Sequence, residues 1–598
     1  MTTDRITHLP AAGSTLALVL VLTGCALLVV AGLLSWAASS MRFTQRRNEY
    51  RGSVAAAEAA TEQVIASMSR DFQRLGESGV YNNLSAYRLL IPPGMTVPNG
   101  GATTFEFADG QGHTNQTSVD QLTPREYTLL QTRRPSLRGY ASTYRIVSNA
   151  RELNTSYASP AAVRQDVQIA SVPVFQFQFF YALDLELSPS VNDMTFTGPV
   201  HCNRTIYCEP NAKTLTFRAP VTAGGQVLLE KHPADPVIRS PGPVIFNEGR
   251  EMRMNTLNLP MGTNNTPSVW RSLIDLPPSS ESPYSLIGAQ RYYNKADLIV
   301  LVSNTTVVAK SGLYNGFSVT IPWTNIGEIT VLTGAKGKDR WVRKIRRLFP
   351  IVYDGVVSTN VTFFDKRQNK TVKATEIDIG QLLAKYSYLT SVLGREVRIL
   401  YVADCRTQTS TTQSGVRIVV GETLPAHGLT VATPNPLYMV GDYNVPPGAS
   451  GTTNTSQTVP ASLVADAFTV LSEDWQDTNG GAVLSYRRAT NTTINAAMVS
   501  GIVQTGGGYF SGGIENCPRL LEDWTGYTLT VNGSIVVLYE SQIANAPWGA
   551  APDIYQPPIR AFNFDPNFTV PEKLPPGTPE LRTLIRSRWA MIRPDSLQ

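Results

Sequence analysis

Residues 14–41 read STLALVLVLTGCALLVVAGLLSWAASSM and carry no charged side chain. A helix rises about 1.5 Å per residue, so about 20 apolar residues cross the roughly 30 Å hydrocarbon layer of a bilayer. The run is also longer than the roughly 7–15 apolar residues of a cleaved secretory signal. We therefore predict a transmembrane helix over residues 14–41. The side chains predicted to form this membrane anchor include Thr15, Leu16, Leu18, Val21, Leu27 and Leu33.

Helical character continues beyond the apolar run. Residues 42–75 contain no proline and are rich in Ala, Glu, Gln and Arg, which favour helix. We predict a helical stalk over residues 42–78 whose outer half packs on the rest of the chain. The apolar side chains that recur broadly on one face of this stalk are Val54, Ala57, Ile65, Met68, Phe72 and Leu75.

Two alternatives to an intact anchor lie within the same run. Leu22-Thr23-Gly24-Cys25 resembles the lipobox at which bacterial lipoproteins are cut and acylated, but apolar residues continue after Cys25. Ala37-Ala38-Ser39 offers small residues for cleavage at the end of the run. An uncleaved anchor fits the length of the apolar segment better than either alternative.

The beginning of the chain resembles a known family. Gly13 precedes Ser14-Thr15-Leu16, and an arginine-dotted helix with Ala56-Ala57-Glu58-Ala59-Ala60 follows the apolar run. In these features the first 75 residues resemble the N-terminal region of PilX-like minor pilins and of type II secretion pseudopilins. The resemblance implies that a prepilin peptidase cuts between Gly13 and Ser14, and that the exposed helix packs against pilin-like helices of other subunits. Major pilins carry a glutamate at the fifth mature position, where this chain has Leu18, and this difference favours a minor, tip-located subunit.

Charges beside the span bear on its orientation. Arg5 and Asp4 precede the span, whereas four arginines follow it, at positions 42, 46, 47 and 51. The positive-inside rule alone would place the C-terminal side in the cytoplasm. The Thr- and Asn-rich remainder of the chain favours export instead. We predict a single-pass protein of a bacterial cell membrane with its large C-terminal body outside the cytoplasm, in the periplasm or at the cell surface.

Composition indicates a mainly β chain after the long helix. Charged residues make up 16% of the 598 residues and the net charge is +5, which is too dilute for a nucleic-acid binder. The basic run at residues 336–347 is interpreted as a solvated face. Abundant Gly and Pro, with many Thr, Asn and Val, favour short strands and turns.

A weak internal repeat predicts how the strands stack. MTFTGPV at residues 194–200 is echoed 21 residues later by LTFRAPV at residues 215–221, and Gly242-Pro243-Val244 resembles a third copy. A period of this length is about one coil of a parallel β-helix. We predict a right-handed β-helix-like solenoid with an inserted lobe, and β-sandwich domains are the alternative. Similar strand-like runs return near Val440, Val464, Val499 and Val536.

Part of this later region carries a second resemblance. Asn435-Pro436-Leu437-Tyr438 and Gly441-Asp442-Tyr443-Asn444 are similar to segments of large uncharacterised exported proteins, which join a PilX-like N-terminus to a β-rich body. That resemblance implies architecture and location only.

The predicted segments are a leader-like segment 1–13, the transmembrane helix 14–41, the stalk 42–78, a mixed α+β region 79–170, a first solenoid part 171–250, an inserted lobe 251–428, a β-solenoid 429–560, and a tail 561–598 with a short capping helix that begins at Pro579.

Residues that could carry chemistry are few. None of the five histidines stands in a metal-binding pair, and Gly506-Gly507-Gly508 lacks the Lys-Ser/Thr ending of a phosphate loop, so we interpret it as a turn. We predict no metal, no cofactor and no enzymatic activity. A β-helix polysaccharide lyase or hydrolase with paired carboxylates is the enzymatic alternative, although such carboxylates more often cap backbone groups. The candidate carboxylates are Asp442, Asp466, Glu515, Glu522 and Asp523.

Four cysteines lie outside the span, at positions 202, 208, 405 and 517. Cys202 and Cys208 are close enough in sequence for a candidate disulfide, and free buried thiols are the alternative.

These features together favour a structural or adhesive protein of a type IV pilus or pseudopilus-like system. The expected partners are membrane lipid, pilin-like helices of other subunits, and surface glycans or host or other cells, but not nucleic acid. A plain single-pass envelope protein is the main alternative.

Overall fold

The computed structural model describes residues 14–93, 95, 104–132, 137–262, 264–312, 318–322, 355–549 and 552–594. Gly13, the leader-like segment and the basic run at 336–347 lie outside these residues. The described chain is mainly β with one long N-terminal helix, as the sequence predicts.

The predicted span and stalk form a single helix, α1 (Ser14–Asn82). Only Gly76 departs from helical geometry inside it, with a φ of 73°. A Cβ atom at this position would lie 3.0 Å from an Nη atom of Arg582, so glycine suits both the backbone angle and the close approach of that arginine. A short helix, α2 (Leu84–Arg88), follows directly.

The second half of α1 packs on an antiparallel sheet. Its first four strands are β1 (Phe105–Ala108), β2 (Ser118–Leu129), β3 (Arg138–Glu152) and β4 (Ala161–Pro173). The fifth comes from the other end of the chain, and is β30 (Glu580–Ile592), which pairs with β4. We call α1, α2 and these five strands the helix–sheet module.

The predicted C-terminal capping helix is therefore wrong. Thr578 and Pro579 resemble a helix start, but the Thr578 hydroxyl closes a turn by donating to Pro575 O, and the chain then continues as β30. Backbone pairing with β4 along the whole strand outweighs the local helix signal, because tertiary context overrides propensity.

Residues 174–579 form the body, which is inserted between β4 and β30. The two connections lie side by side, since Pro173 pairs with Glu580 and Val174 N donates to Pro579 O at 2.9 Å. Apolar side chains of β4 and β30 also share a buried cluster with body residues such as Tyr401 and Tyr539.

The first strands of the body pair in parallel at the period predicted from the repeat. Leu215 lies beside Met194, Val221 beside Val200, and Val227 beside Ile206. Each of these pairs joins residues 21 positions apart and belongs to a different sheet. The strands are β5 (Phe179–Tyr181), β6 (Leu185–Leu187), β7 (Met194–Phe196), β8 (Val200–Cys202), β9 (Ile206–Cys208), β10 (Leu215–Phe217), β11 (Val221–Ala223), β12 (Val227–Leu228), β13 (Val244–Phe246) and β14 (Arg250–Glu251).

The rest of the body adds fifteen strands and four short helices among the described residues. The strands are β15 (Leu298–Val302), β16 (Thr306–Ser311), β17 (Ser318–Pro322), β18 (Val357–Asp365), β19 (Lys370–Asp378), β20 (Ile399–Asp404), β21 (Thr412–Val419), β22 (Leu429–Ala432), β23 (Leu437–Val440), β24 (Ala461–Ala465), β25 (Phe468–Leu471), β26 (Thr492–Ile502), β27 (Arg519–Leu520), β28 (Thr528–Glu540) and β29 (Ile559–Phe564). The helices are α3 (Pro267–Trp270), α4 (Tyr292–Lys295), α5 (Ile379–Ala384) and α6 (Tyr386–Leu393).

One 13-stranded sheet runs through the whole body. Its order is β14-β11-β8-β5-β28-β26-β24-β22-β20-β15-β16-β17, and β29 also pairs with β28. The chain thus enters at β5, runs to one end at β14, resumes near the other end at β15 and returns to close against β5 through β28. Strands of the segment predicted as an inserted lobe lie in the same sheets as strands after residue 428, so that boundary is not a break in the sheets. Side chains from all four sheets of the body share one apolar core.

Candidate functional site

The first half of α1 stands free of the rest of the molecule. Nearly every side chain over residues 15–48 is exposed, including Thr15. The predicted anchor residues Leu16, Leu18, Val21, Leu27 and Leu33 have exposures between 59% and 69%. Among the described residues, α1 is the one helix long and apolar enough to cross a membrane. An apolar surface of this extent is unfavourable in water and indicates contact with lipid or with other apolar helices.

Burial begins at Glu49, which lies between Arg47 and Arg51. The Glu49 carboxylate accepts from Tyr157 N at 3.0 Å and from Gln45 Nε2 at 3.3 Å. Ser53 follows on the same face and accepts from Glu152 N at 3.2 Å. The exposed arginines at positions 42, 46, 47 and 51 therefore form a basic collar between the free apolar segment and the sheet.

The packed half of α1 contacts the sheet first through small residues and then through large ones. Ala56, Ala57 and Ala60 lie in a buried cluster with Phe105 and Phe107. Further along, the helix contributes larger apolar side chains to a cluster with β3 and β4 residues, and these are Val64, Ile65, Met68 and Phe72. The predicted packing face is thus largely correct. Leu75 is the exception, since it is exposed beside the break at Gly76.

Polar contacts fix α1 to β4 and to β30, the two strands that flank the body in the sequence. Gln165 Nε2 on β4 donates to Thr61 Oγ1 and to Glu62 Oε1, each at 2.9 Å. On β30, Arg586 pairs with Glu62 and lowers the pKa of that carboxyl. Arg582 Nη1 donates to Phe72 O at 2.9 Å and to Gln73 O at 3.0 Å, in the turn before the break at Gly76.

Glu49, Gln165 and Arg582 were not predicted from the sequence. Each acts on a partner more than a hundred residues away, and the Arg582–Phe72 contact spans 510 positions. Leu581-Arg582-Thr583-Leu584 places its two apolar residues three positions apart, so the sequence around Arg582 does not show the alternation typical of a strand.

A cavity of about 340 Å³ lies between the module and the body. Its lining is mostly apolar, with Leu257, Val172 and Phe177 beside His201 and Thr222. His201 Nδ1 lies 2.7 Å from Thr222 Oγ1, and burial lowers the pKa of His201 to about 4. The imidazole is therefore neutral at physiological pH and acts as a packing group between Phe177 and Phe180.

The five candidate carboxylates all bind backbone N–H groups of the body. Asp466 is fully buried, accepts from the N–H groups of residues 542, 543 and 544, and pairs with Arg271. Glu522 accepts from Ser472 N at 2.6 Å, and Glu515 from Ser188 N at 2.8 Å. Asp442 accepts from Thr493 N, and Asp523 from Thr525 N. This geometry agrees with the capping role that sequence analysis gave as the more frequent one.

The candidate disulfide between Cys202 and Cys208 is wrong in this structure, which has both as free thiols. Cys202 ends β8 and Cys208 ends β9, and these strands belong to different sheets. The Cys202 thiol donates instead to Leu183 O at 3.1 Å. Burial raises the pKa of Cys202 and raises that of Cys208 to about 12, so both are unreactive thiols.

Comparisons with known proteins assign no family. No protein-family model and no curated protein matches the chain. Among solved structures, the chain is similar to the competence-associated pilin ComZ from Thermus thermophilus, with 10% sequence identity and a TM-score of 0.28 over 91% of this chain and 98% of that one. A TM-score this low does not establish a shared fold, and no conclusion rests on this similarity.

Proposed function

We propose that the protein is a membrane-anchored structural or adhesive subunit of a type IV pilus or pseudopilus-like system. The observation that carries the proposal is the division of α1 into a free apolar half and a half packed on a sheet. The free half needs an apolar environment, and both a bilayer and a bundle of similar helices supply one. The packed half connects that segment to the body through the sheet of the helix–sheet module.

The finer assignment is to a PilX-like minor or tip subunit. It rests on the resemblance around Gly13 and Ser14 and on Leu18 at the fifth mature position. We propose that peptidase cleavage frees the N-terminus at Ser14, and that the apolar half of α1 then moves from lipid to pilin-like helices of other subunits.

For the body we propose a right-handed β-helix-like solenoid. Parallel pairing at a constant offset of 21 residues in three sheets supports this form, since a β-sandwich pairs its strands antiparallel. The hand follows from the strong preference of parallel crossovers for the right-handed turn. The outer faces of such a stack would supply surface for contact with glycans or with other cells.

A plain single-pass envelope protein is the second candidate. The exposed apolar half of α1 is compatible with it, because a bilayer alone covers such a segment without pilin-like helices.

Processing at Gly13 separates the two candidates. We expect mature protein extracted from membranes to begin at Ser14, as measured by N-terminal sequencing or intact mass. Gly13→Val should leave the leader uncut, whereas the matched variant Gly24→Val should be processed normally, since nothing lies within 4 Å of an added Cβ there. Wild-type protein that still began at Met1 would show that the anchor is not of the pilin type.

We also propose that the protein makes and breaks no covalent bond after processing. The candidate carboxylates support this proposal because they already bind backbone N–H groups. We expect no release of reducing ends or unsaturated sugars when the full-length protein is incubated with bacterial surface polysaccharides. Turnover by the wild type that is lost in Glu515→Gln would overturn this proposal.

A further inference from the structure

Two arginines lie deep inside the body and hold the same short segment. Arg367, in the turn after β18, is 3% exposed, and Arg519, at the start of β27, is 4% exposed. Arg367 Nε donates to Ala546 O at 3.1 Å, and Arg519 Nη2 donates to Ala544 O. Gln368 joins them, since its Oε1 accepts from Ala546 N at 3.1 Å. Three side chains, two from the turn after β18 and one from β27, thus contact residues 544–546.

Each of these side chains keeps one buried donor without a protein acceptor. Among the described residues, no oxygen accepts from Arg367 Nη1, Arg519 Nη1 or Gln368 Nε2. A buried donor left unpaired costs about 1–3 kcal/mol, and more when it is charged. Three such donors around residues 544–546 favour an acceptor that is not one of the described protein atoms.

Among the described residues, neither guanidinium group has a direct ion-pair partner. Asp365 is the acidic group that acts on both arginines. Its carboxylate accepts from Gln368 N at 3.0 Å and from Tyr438 OH at 2.7 Å. Within the part of the chain that the structure describes, it forms no ion pair with either guanidinium group. Asp466 also acts on Arg519, but its carboxylate pairs with Arg271, which in turn contacts Asp275. Burial and the neighbouring Arg519 both lower the pKa of Arg367, yet an arginine side chain stays protonated in proteins. Two guanidinium groups therefore lie in the interior with no carboxylate of the described residues bound directly to either of them.

We propose that Arg367, Arg519 and Gln368 bind a small monovalent anion, of chloride size, in the interior of the body. Such an ion would accept from the three free donors and would give both guanidinium groups a direct anionic partner. A single negative charge fits because Asp365 already acts on both arginines, and a small ion fits because both arginines are buried and Arg367 Nη2 already donates to Ser511 Oγ at 3.3 Å. The ion would join the turn after β18, the start of β27 and residues 544–546, so it would stabilise the packing of three segments.

The test uses full-length protein in detergent, exchanged into sodium gluconate, whose anion is too large to enter. Chloride or bromide is then titrated at constant ionic strength while the thermal unfolding midpoint is measured. We expect a saturable rise of several degrees with either halide. A midpoint independent of halide would overturn the proposal, because bound water would satisfy the donors equally well in every salt. In crystals grown with bromide, anomalous diffraction should place bromide between Arg367 and Arg519, and a peak absent from that position would overturn it independently of any variant.

Gln368→Glu provides a matched variant. The introduced carboxylate can accept from the arginines in place of the ion and can still accept from Ala546 N. We expect this variant to lose most of the halide response. Gln178→Glu is the control, because Gln178 is also buried, accepts from Gly198 N at 2.8 Å and donates to Phe562 O at 3.0 Å. This control variant should have a lower thermal unfolding midpoint in every salt, but its midpoint should rise with halide as much as that of the wild type. An unchanged halide response in Gln368→Glu would contradict the proposed site.

Discussion

The Glu522 side chain is fully buried in the body. Its carboxyl group accepts hydrogen bonds from Ser472 N at 2.6 Å and from Ser472 Oγ at 2.7 Å. Burial raises the pKa of this group from 4.5 to about 7. The folded protein therefore favours the protonated form more than the unfolded chain does. This contribution to stability is fully present below pH 4.5 and is lost as the pH rises through about 7.

We expect Glu522→Gln to remove this pH dependence. An amide at this position can accept from Ser472 N and donate to Ser472 Oγ without carrying charge. At pH 8 the variant should be more stable than the wild type by an amount on the order of 3 kcal/mol, and the difference should vanish near pH 4.5. Denaturant titrations between pH 4.5 and 8 measure it. The exposed neighbour Glu473→Gln should follow the wild-type curve, and a Glu522→Gln curve parallel to the wild type would contradict the raised pKa.

For single residues, the sequence predicts what a side chain binds better than it predicts which side chains lie close together. The expectation that carboxylates cap backbone groups agrees with the geometry of all five candidates. The sequence could not reveal that Arg367 and Arg519 lie together, because 152 positions separate them and burial of an arginine has no local signature. The candidate disulfide failed for a related reason, since closeness in sequence does not determine which sheet a strand joins.

Among the elements, α1 was the most predictable and β30 the least. The absence of proline and the long apolar run define α1 without reference to any partner. In contrast, β30 exists because β4 presents a free edge to it, and β4 lies some four hundred residues earlier in the chain. A local helix-start signal at Thr578 and Pro579 was therefore misleading.

Removing β30 tests its role in the module. We expect a chain that ends after Pro579 to lose protection of backbone amides over residues 54–72, because the helix loses Arg582 and Arg586 and β4 becomes an edge strand. Hydrogen exchange measures this for the full-length protein and the truncated one.

Two comparisons control that experiment. A chain that ends after Ile592 keeps β30 and should show normal protection of the helix. Strands β22 to β26 should stay protected in both truncated chains, since none of them pairs with β30. Unchanged protection of residues 54–72 without β30 would show that the helix is held by β3 and β4 alone.

In the whole molecule, the order of the strands in space differs from their order in the chain. The 21-residue repeat predicted neighbouring strands correctly, because it is a local property of β7 to β12. It could not predict that β28 returns to pair with β5, since that contact joins the first and nearly the last strands of the body. The expected lobe at 251–428 reflects the same limit, because a gap in the repeat looks like an insertion even when its strands continue the sheet.

The paired connections at Pro173 and Glu580 have a mechanical consequence. A tension applied to the body enters β4 and β30 at the same end of their ladder, so it does not peel one strand from the other. A force parallel to the strands is carried by the hydrogen bonds between β4 and β3. Arg582 and Gln165 transmit it to α1 through their hydrogen bonds with the helix. Many hydrogen bonds then share the load instead of breaking in turn. A force on the body would thus reach the free apolar half of α1 before it opened the sheet.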